Sequence, residues 1–350
     1  MVLLRSILPA VLTAGIFFSA SAQETGFRIM EQKDKKQIDI RYNGRLLTAY
    51  CYYDSIKKPI LFPVNTPDGI TVTRGYPIAP RPGERTDHPH HMGIWMNYES
   101  VNGLDFWNHS TAIPFEKRNH YGTIVHRKVI HSSADQTGAR LGTEADWVRP
   151  DGHVLLIENM VHRFTVQGPV LLIDRVSVLR ARDTVTFRDV KDGYLAIRVA
   201  RELEMPTQQA DVFVDASGNE TKVPAINNEG VTGMYLTSEG VRGDSAWGTK
   251  GSWTALHGRK EGKEITIALL DQPGNPGYPA YRHARGYGLF AINPFGRKIF
   301  SNGREEWNKV LLPGEQLVFH YRIIIASRQL DREELDQRAQ EFEKEAGTPR

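Results

Sequence analysis

The chain has 350 residues, a formal charge of +3 from 44 Lys and Arg against 41 Asp and Glu, and one cysteine. A chain this long buries enough apolar surface to need no covalent staple, and the lone Cys51 excludes an intramolecular disulfide. So small a charge, with no basic stripe interleaved with aromatics, argues against nucleic acid as a partner.

In chain order, Arg5 gives a basic start, residues 7–18 are apolar, and Ala20-Ser21-Ala22 has the small-x-small form that signal peptidase reads. Residues 1–22 are therefore expected to be an export signal, with the mature chain starting at Gln23. No cysteine sits at the cleavage point, and no later stretch approaches the roughly 20 apolar residues of a membrane span. The expectation is a soluble periplasmic or secreted protein, not a lipoprotein.

Beyond this point hairpin punctuation dominates. Asn43-Gly44, Asp68-Gly69, Asn102-Gly103, Asp151-Gly152, Asp192-Gly193 and Asn302-Gly303 are dipeptides that relax into positive-φ turns. Strand-like runs lie between them at 122–131, 153–166, 170–180, 194–200, 264–270 and 316–326. In the last run Leu317, Phe319, Tyr321, Ile323 and Ile325 share one face, and His320 and Arg322 the other. Cys51, in the strand-like run 46–53, reads as a buried thiol. Helical periodicity appears only at the end, where Asp331 and Glu334 form a capping box and Leu335, Ala339 and Phe342 a thin apolar stripe. The reading is all-β: one large two-sheet sandwich over 23–327, then a surface helix and tail over 328–350.

The chemistry concentrates in residues 87–109. Asp87-His88-Pro89-His90-His91 precedes Trp95, Asp105, Trp107 and His109, placing four of the twelve histidines beside two carboxylates and two tryptophans. Imidazole carries protons or ligates metals near neutrality, and tryptophan offers a flat face to a sugar ring. His90, His91 and His283 with Asp87 are the candidate catalytic residues. If the segment were a strand, His88 and His90 would share a face and could hold a divalent metal, completed by Asp87, His109 or His283. Pro89 instead favours a strand edge or loop.

A second block, rich in proline and glycine, runs from Asp271 to Tyr287. Asn275, Tyr281, Arg285 and Tyr287 are candidate binding residues there, with Arg74, Trp95, Asp105 and Trp107 from the first block. Arg285 could grip a carboxylate or sugar hydroxyls, or pin its own loop by pairing with Asp271. Glu144 and Glu158 interrupt apolar strands, so each faces either a cleft or a salt bridge. Trp247, Trp253 and Trp307 receive no role.

The runs Val72-Thr73-Arg74-Gly75-Tyr76-Pro77, Asp87 to Trp95 and Val101 to Trp107 resemble the exported bacterial PmoA family, as do Asp192 to Val199, Asp271 to Pro276, His283-Ala284-Arg285 and Asn293 to Gly296. The resemblance implies a domain of unknown function with a galactose-mutarotase-like supersandwich. The label's methane oxygenase is a multi-span membrane protein, and this chain has no span after its first residues, so that activity is set aside. Three classes remain. The first is an enzyme acting on a sugar or glycoside by acid–base chemistry (epimerase, lyase or hydrolase), the second a non-catalytic glycan-binding protein, and the third a metal-dependent enzyme built on His88 and His90. In each the partner is a small molecule or an oligosaccharide.

Overall fold

The computed structural model describes residues 25–223 and 227–345. The expected export signal and the tail beyond Gly347 lie outside them.

Alternating apolar residues give each strand one face to bury, and two sheets of eight antiparallel strands bury those faces against each other. In spatial order the first sheet comprises Phe27–Gln32, Gln37–Tyr42, Arg45–Cys51, Ile60–Val64, Ile94–Tyr98, Gly193–Arg198, Leu289–Asn293 and Tyr281–Arg285. The second comprises Met234–Thr237, Trp253–Lys260, Lys263–Asp271, Gln316–Ala326, Val170–Ala181, Val154–Gln167, Ala139–Val148 and Thr123–Ala134. The core between them takes Ile94, Met96, Ile197 and Phe290 from one sheet and Leu141, Met160, Ile173 and Phe319 from the other. The period-two reading of Gln316–Ala326 holds, since Leu317 through Ile325 at alternate positions all enter this core.

Each sheet also has a covered outer face. On the second, the Arg332–Glu345 helix seats Leu335 and Phe342 among Leu172, Trp253 and Ile324. Asp331 accepts from the Glu334 amide at 2.9 Å, while the Glu334 carboxylate turns to Arg328 and Arg338, so only half of the capping box forms. The helix buries the stripe read from the sequence, Leu335 and Phe342 fully and Ala339 in part. On the first sheet's outer face, Trp95 and Trp107 form a second cluster with Cys51, Phe62, Ala196 and Ala291.

The hairpin reading holds at Asn43-Gly44 and Asn102-Gly103, where both residues of each pair take positive φ. It fails at Asp192-Gly193. Gly193 opens a strand beside Tyr98, and a β-carbon there would stand 2.3 Å from the Tyr98 ring. The glycine is needed for close approach, and Asp192 is carried to the rim of the first sheet. Glu158 does not reach a cleft: it lies in the inter-sheet core, receiving Arg175 at 2.7 Å and the Trp147 indole at 3.0 Å. Glu144 pairs with Lys128 on the second sheet.

Candidate functional site

The Asp87–Gly93 segment is a turn, not a strand, and a buried arginine shapes it. The Arg74 guanidinium, 1% exposed, donates to the carbonyls of Arg85, Asp87, His88 and His91 and to the Asp87 carboxylate at 2.8–3.1 Å. Five donors in a fixed fork suit this clamp. Arg74 was expected to meet substrate, but its two terminal nitrogens are spent on backbone carbonyls and the Asp87 carboxylate. His88 takes φ 46° at the bend, and its carbonyl accepts from the His91 amide at 2.9 Å.

The turn reorders the histidines. His88 stacks on His91 with ring centres 4.7 Å apart, and His90 stands edge-on to both. The ladder continues from His91 to Trp95 at 5.2 Å and from His88 to Tyr287 at 5.1 Å. The His88/His90 metal pairing expected of a strand is therefore absent. His88 Nδ1 is engaged by the Asp87 carboxylate, and His109 Nδ1 bonds to the Gly122 carbonyl at 2.9 Å. Among the described residues no group of three or more His, Cys, Asp or Glu side chains is placed to hold a metal ion.

Strand register supplies the floor. Trp95 pairs with Ala196, Ala196 with Ala291, and Ala291 with His283, so these four share one row of the outer face. The next row runs Arg198, Leu289, Arg285. Two alanines between a tryptophan and a histidine make this row a trough in side-chain height, but all four residues are at most 1% exposed, so it is covered by its neighbours and is not an open cleft. Trp95 and Trp107 are at most 1% exposed, so they form the floor's underside instead of an open stacking face. In the ring ladder and the first row, five ring nitrogens are buried without a hydrogen-bond partner: Nε2 of His90 and His91, Trp95 Nε1, and both nitrogens of His283.

The electrostatics divide the titrating groups. Burial favours the neutral acid at Asp87, but Arg198, His88 and Arg74 outweigh it and hold the carboxyl well below its ordinary range. Arg198, fully buried, donates to both Asp87 oxygens at 3.1 and 2.7 Å and lies 4.8 Å from the Tyr287 ring centre. Burial, with neighbouring cations, drives His90 and His91 well below the ordinary imidazole value and His283 down to about 3. These three are neutral imidazoles. His88 alone is open, with 41% of its side chain exposed. Burial raises the carboxyls of Asp105 and Asp192. Asp105 accepts from the Asn108 amide and side chain, and Asp192 stands 3.7 Å from His283 Nδ1.

Part of the second block joins the first. Tyr287, Arg285 and His283 share its sheet face, whereas Asn275 and Tyr281 do not reach the histidines. Asn275 binds Asp271 and the His320 backbone, and the Tyr281 hydroxyl donates to Glu305. Both tie the block to neighbouring parts of the fold. Arg285 does not pair with Asp271, which accepts from Asn275 and the Ala280 amide.

Sequence reasoning missed Arg198 and Lys58. Arg198 ends the apolar run 194–200, and a charge there had to be paired, which was a usable signal. Lys58 gave none. Its ammonium, 1% exposed, donates to the His90 carbonyl at 2.8 Å and the Trp107 carbonyl at 3.5 Å, tying the two histidine- and tryptophan-bearing turns together. Burial lowers it to about 7 against the pull of Asp105.

Among solved structures, the Slr1438 protein of Synechocystis sp. PCC 6803 is 12% identical with TM-score 0.34, covering 89% of this chain and 100% of its own. A putative aldose 1-epimerase of Escherichia coli K12 is 9% identical with TM-score 0.33, covering 86% and 99%. The galactosidase domain of the alpha-galactosidase-sucrose kinase AgaSK is 9% identical with TM-score 0.39, covering 86% of this chain and 42% of that one. Likeness at this level carries no argument about activity. No curated protein matches the sequence. Residues 37–340 match the family of unknown function DUF6807, and the chain belongs to that family.

Proposed function

We propose that this chain is an exported carbohydrate-active enzyme that transfers a proton on a bound sugar through His88. The observation that carries the reading is the Asp87–His88 pair, in which His88 is the exposed imidazole of the ring ladder. A carboxylate on Nδ1 fixes the tautomer and leaves Nε2 as the free acceptor, the arrangement a general base needs. Asp87, fixed as a carboxylate by two arginines, orients His88 and carries no proton itself. The stacked pair of Tyr287 and His88 borders the sugar with its ring edges, and neutral His90, His91 and His283 offer hydrogen bonds to hydroxyls. Proton transfer of this kind is shared by epimerases, lyases and hydrolases. The export signal read from residues 1–22 supports action outside the cytoplasm.

A panel of mono- and oligosaccharides followed by NMR with wild type, His88→Gln and Tyr287→Ala tests this. Turnover by wild type, lost in H88Q and weakened in binding by Y287A, is expected. Turnover unchanged in H88Q overturns it. A glycan-binding protein is the second reading, favoured by the burial that keeps three of the imidazoles neutral. Binding without product would select it.

A further inference from the structure

The edge strand Tyr281–Arg285 closes the trough on the side opposite Trp95. Most charged side chains around the trough are committed: Arg74 and Arg198 to Asp87, Lys58 to two carbonyls, and Lys191 to Asp192 at 3.5 Å. Arg285 is the exception. Its guanidinium makes no hydrogen bond or ion pair among the described residues, and its Nε is buried without a partner. It lies 5.5 Å from the ring centre of Trp247, whose own Nε1 is likewise buried and unpartnered. Two residues earlier on the same sheet face, His283 is 1% exposed with neither ring nitrogen hydrogen-bonded. A buried guanidinium N–H without an acceptor is costly to keep, and an aromatic face supports it only in part. Three donor groups, from Arg285, Trp247 and His283, thus stand together with no acceptor among them.

We propose that this cluster is a subsite for a carboxylate on the sugar, so that the substrate class is acidic saccharides, with Arg285 as the residue that selects it. This rests on the preceding reading of the His88 site as a sugar site. The guanidinium fork matches the two oxygens of a carboxylate, and charge-assisted bonds of this type are the stronger ones. Two carboxylates also face the cluster. Asp192 is partly neutralised by Lys191, and Asp244 lies against Gly286 in the turn that follows Arg285. Neither bonds to Arg285, so both discourage a ligand that places its anion elsewhere than on the fork.

Calorimetry and ligand-observed NMR on the full chain at low ionic strength would compare glucose and galactose with glucuronate, galacturonate and galactose 6-sulfate. Each uronate is expected to bind roughly tenfold or more tightly than its neutral counterpart. Arg285→Met should bring the pair within about twofold, and Arg285→Lys, which keeps charge but not the fork, should retain part of the preference. Circular dichroism on both variants separates this from misfolding. Equal affinity for uronate and hexose in wild type, a preference that survives R285M, or a sulfated sugar that outbinds the uronate overturns the inference. Binding of neutral hexoses without uronates sinks the acidic subsite and leaves the sugar site standing. Absence of any sugar binding, with H88Q indistinguishable from wild type, sinks both.

Discussion

Lys58→Met isolates a buried charge that ties the site together. Burial lowers the Lys58 ammonium from 10.5 to about 7 in the folded chain, while the unfolded chain keeps the ordinary value. Between these values the unfolded state binds the extra proton, so stability rises with pH across that window and is lowest below about 7. Each pH unit well inside the window is worth about 1.4 kcal/mol, and about half that at its lower edge, so from pH 7 to pH 9 the wild type should gain about 2 kcal/mol from this residue alone. A thioether at this position cannot titrate, and the other ionising groups are common to both proteins. Urea unfolding of wild type and K58M at pH 7 and pH 9 therefore reads Lys58 as a difference of differences. The gap should move in favour of wild type at the higher pH. A gap that stays constant, or moves the other way, would show that the His90 and Trp107 carbonyls stabilise the ammonium more than burial penalises it, and the reasoning would be wrong.

Asp87→Asn leaves Arg74 and Arg198 buried without their carboxylate, a loss of about 3–5 kcal/mol in denaturant unfolding. Because Asp87 is held below its ordinary value, its stabilisation is present above the usual carboxylate range and lost on acidification, so D87N should also flatten the acid limb of the stability profile. Trp95→Ala should cost about 3–5 kcal/mol, since the indole is fully buried, whereas Tyr287→Ala should weaken sugar binding with a much smaller change in melting temperature. Phe342→Ala should cost about 3 kcal/mol and release the Arg332–Glu345 amides to faster hydrogen exchange, and unchanged protection would mean the helix is not held by that ring.

The sandwich was legible in the sequence because its signals are local. Alternation in 316–326 and the Asn-Gly pairs each specify backbone within a few residues. The site was legible only as composition. Residues 87–91 announced a cluster of imidazoles, but their mutual geometry depends on Arg74 reaching forward from thirteen or more residues earlier to hold the turn, a long-range effect with no periodic trace. The strand reading paired His88 with His90, and the turn pairs it with His91. Glu158 shows the same limit: a carboxylate in an apolar strand signals a partner, yet only the register with Trp147 and Arg175 shows that the partner lies in the core. Asp192-Gly193 misled because a glycine needed for contact with Tyr98 looks, in sequence, like one needed for a turn.

The most direct test of the account is the turnover rate of His88→Gln against wild type on whichever sugar the panel identifies, with His283→Gln beside it. His88 carries the proton in this account and His283 only donates a hydrogen bond, so H88Q should lose roughly 10²-fold or more in rate with its fold intact, and H283Q should lose mainly affinity. Full activity in H88Q, or a rate loss confined to H283Q, would contradict it.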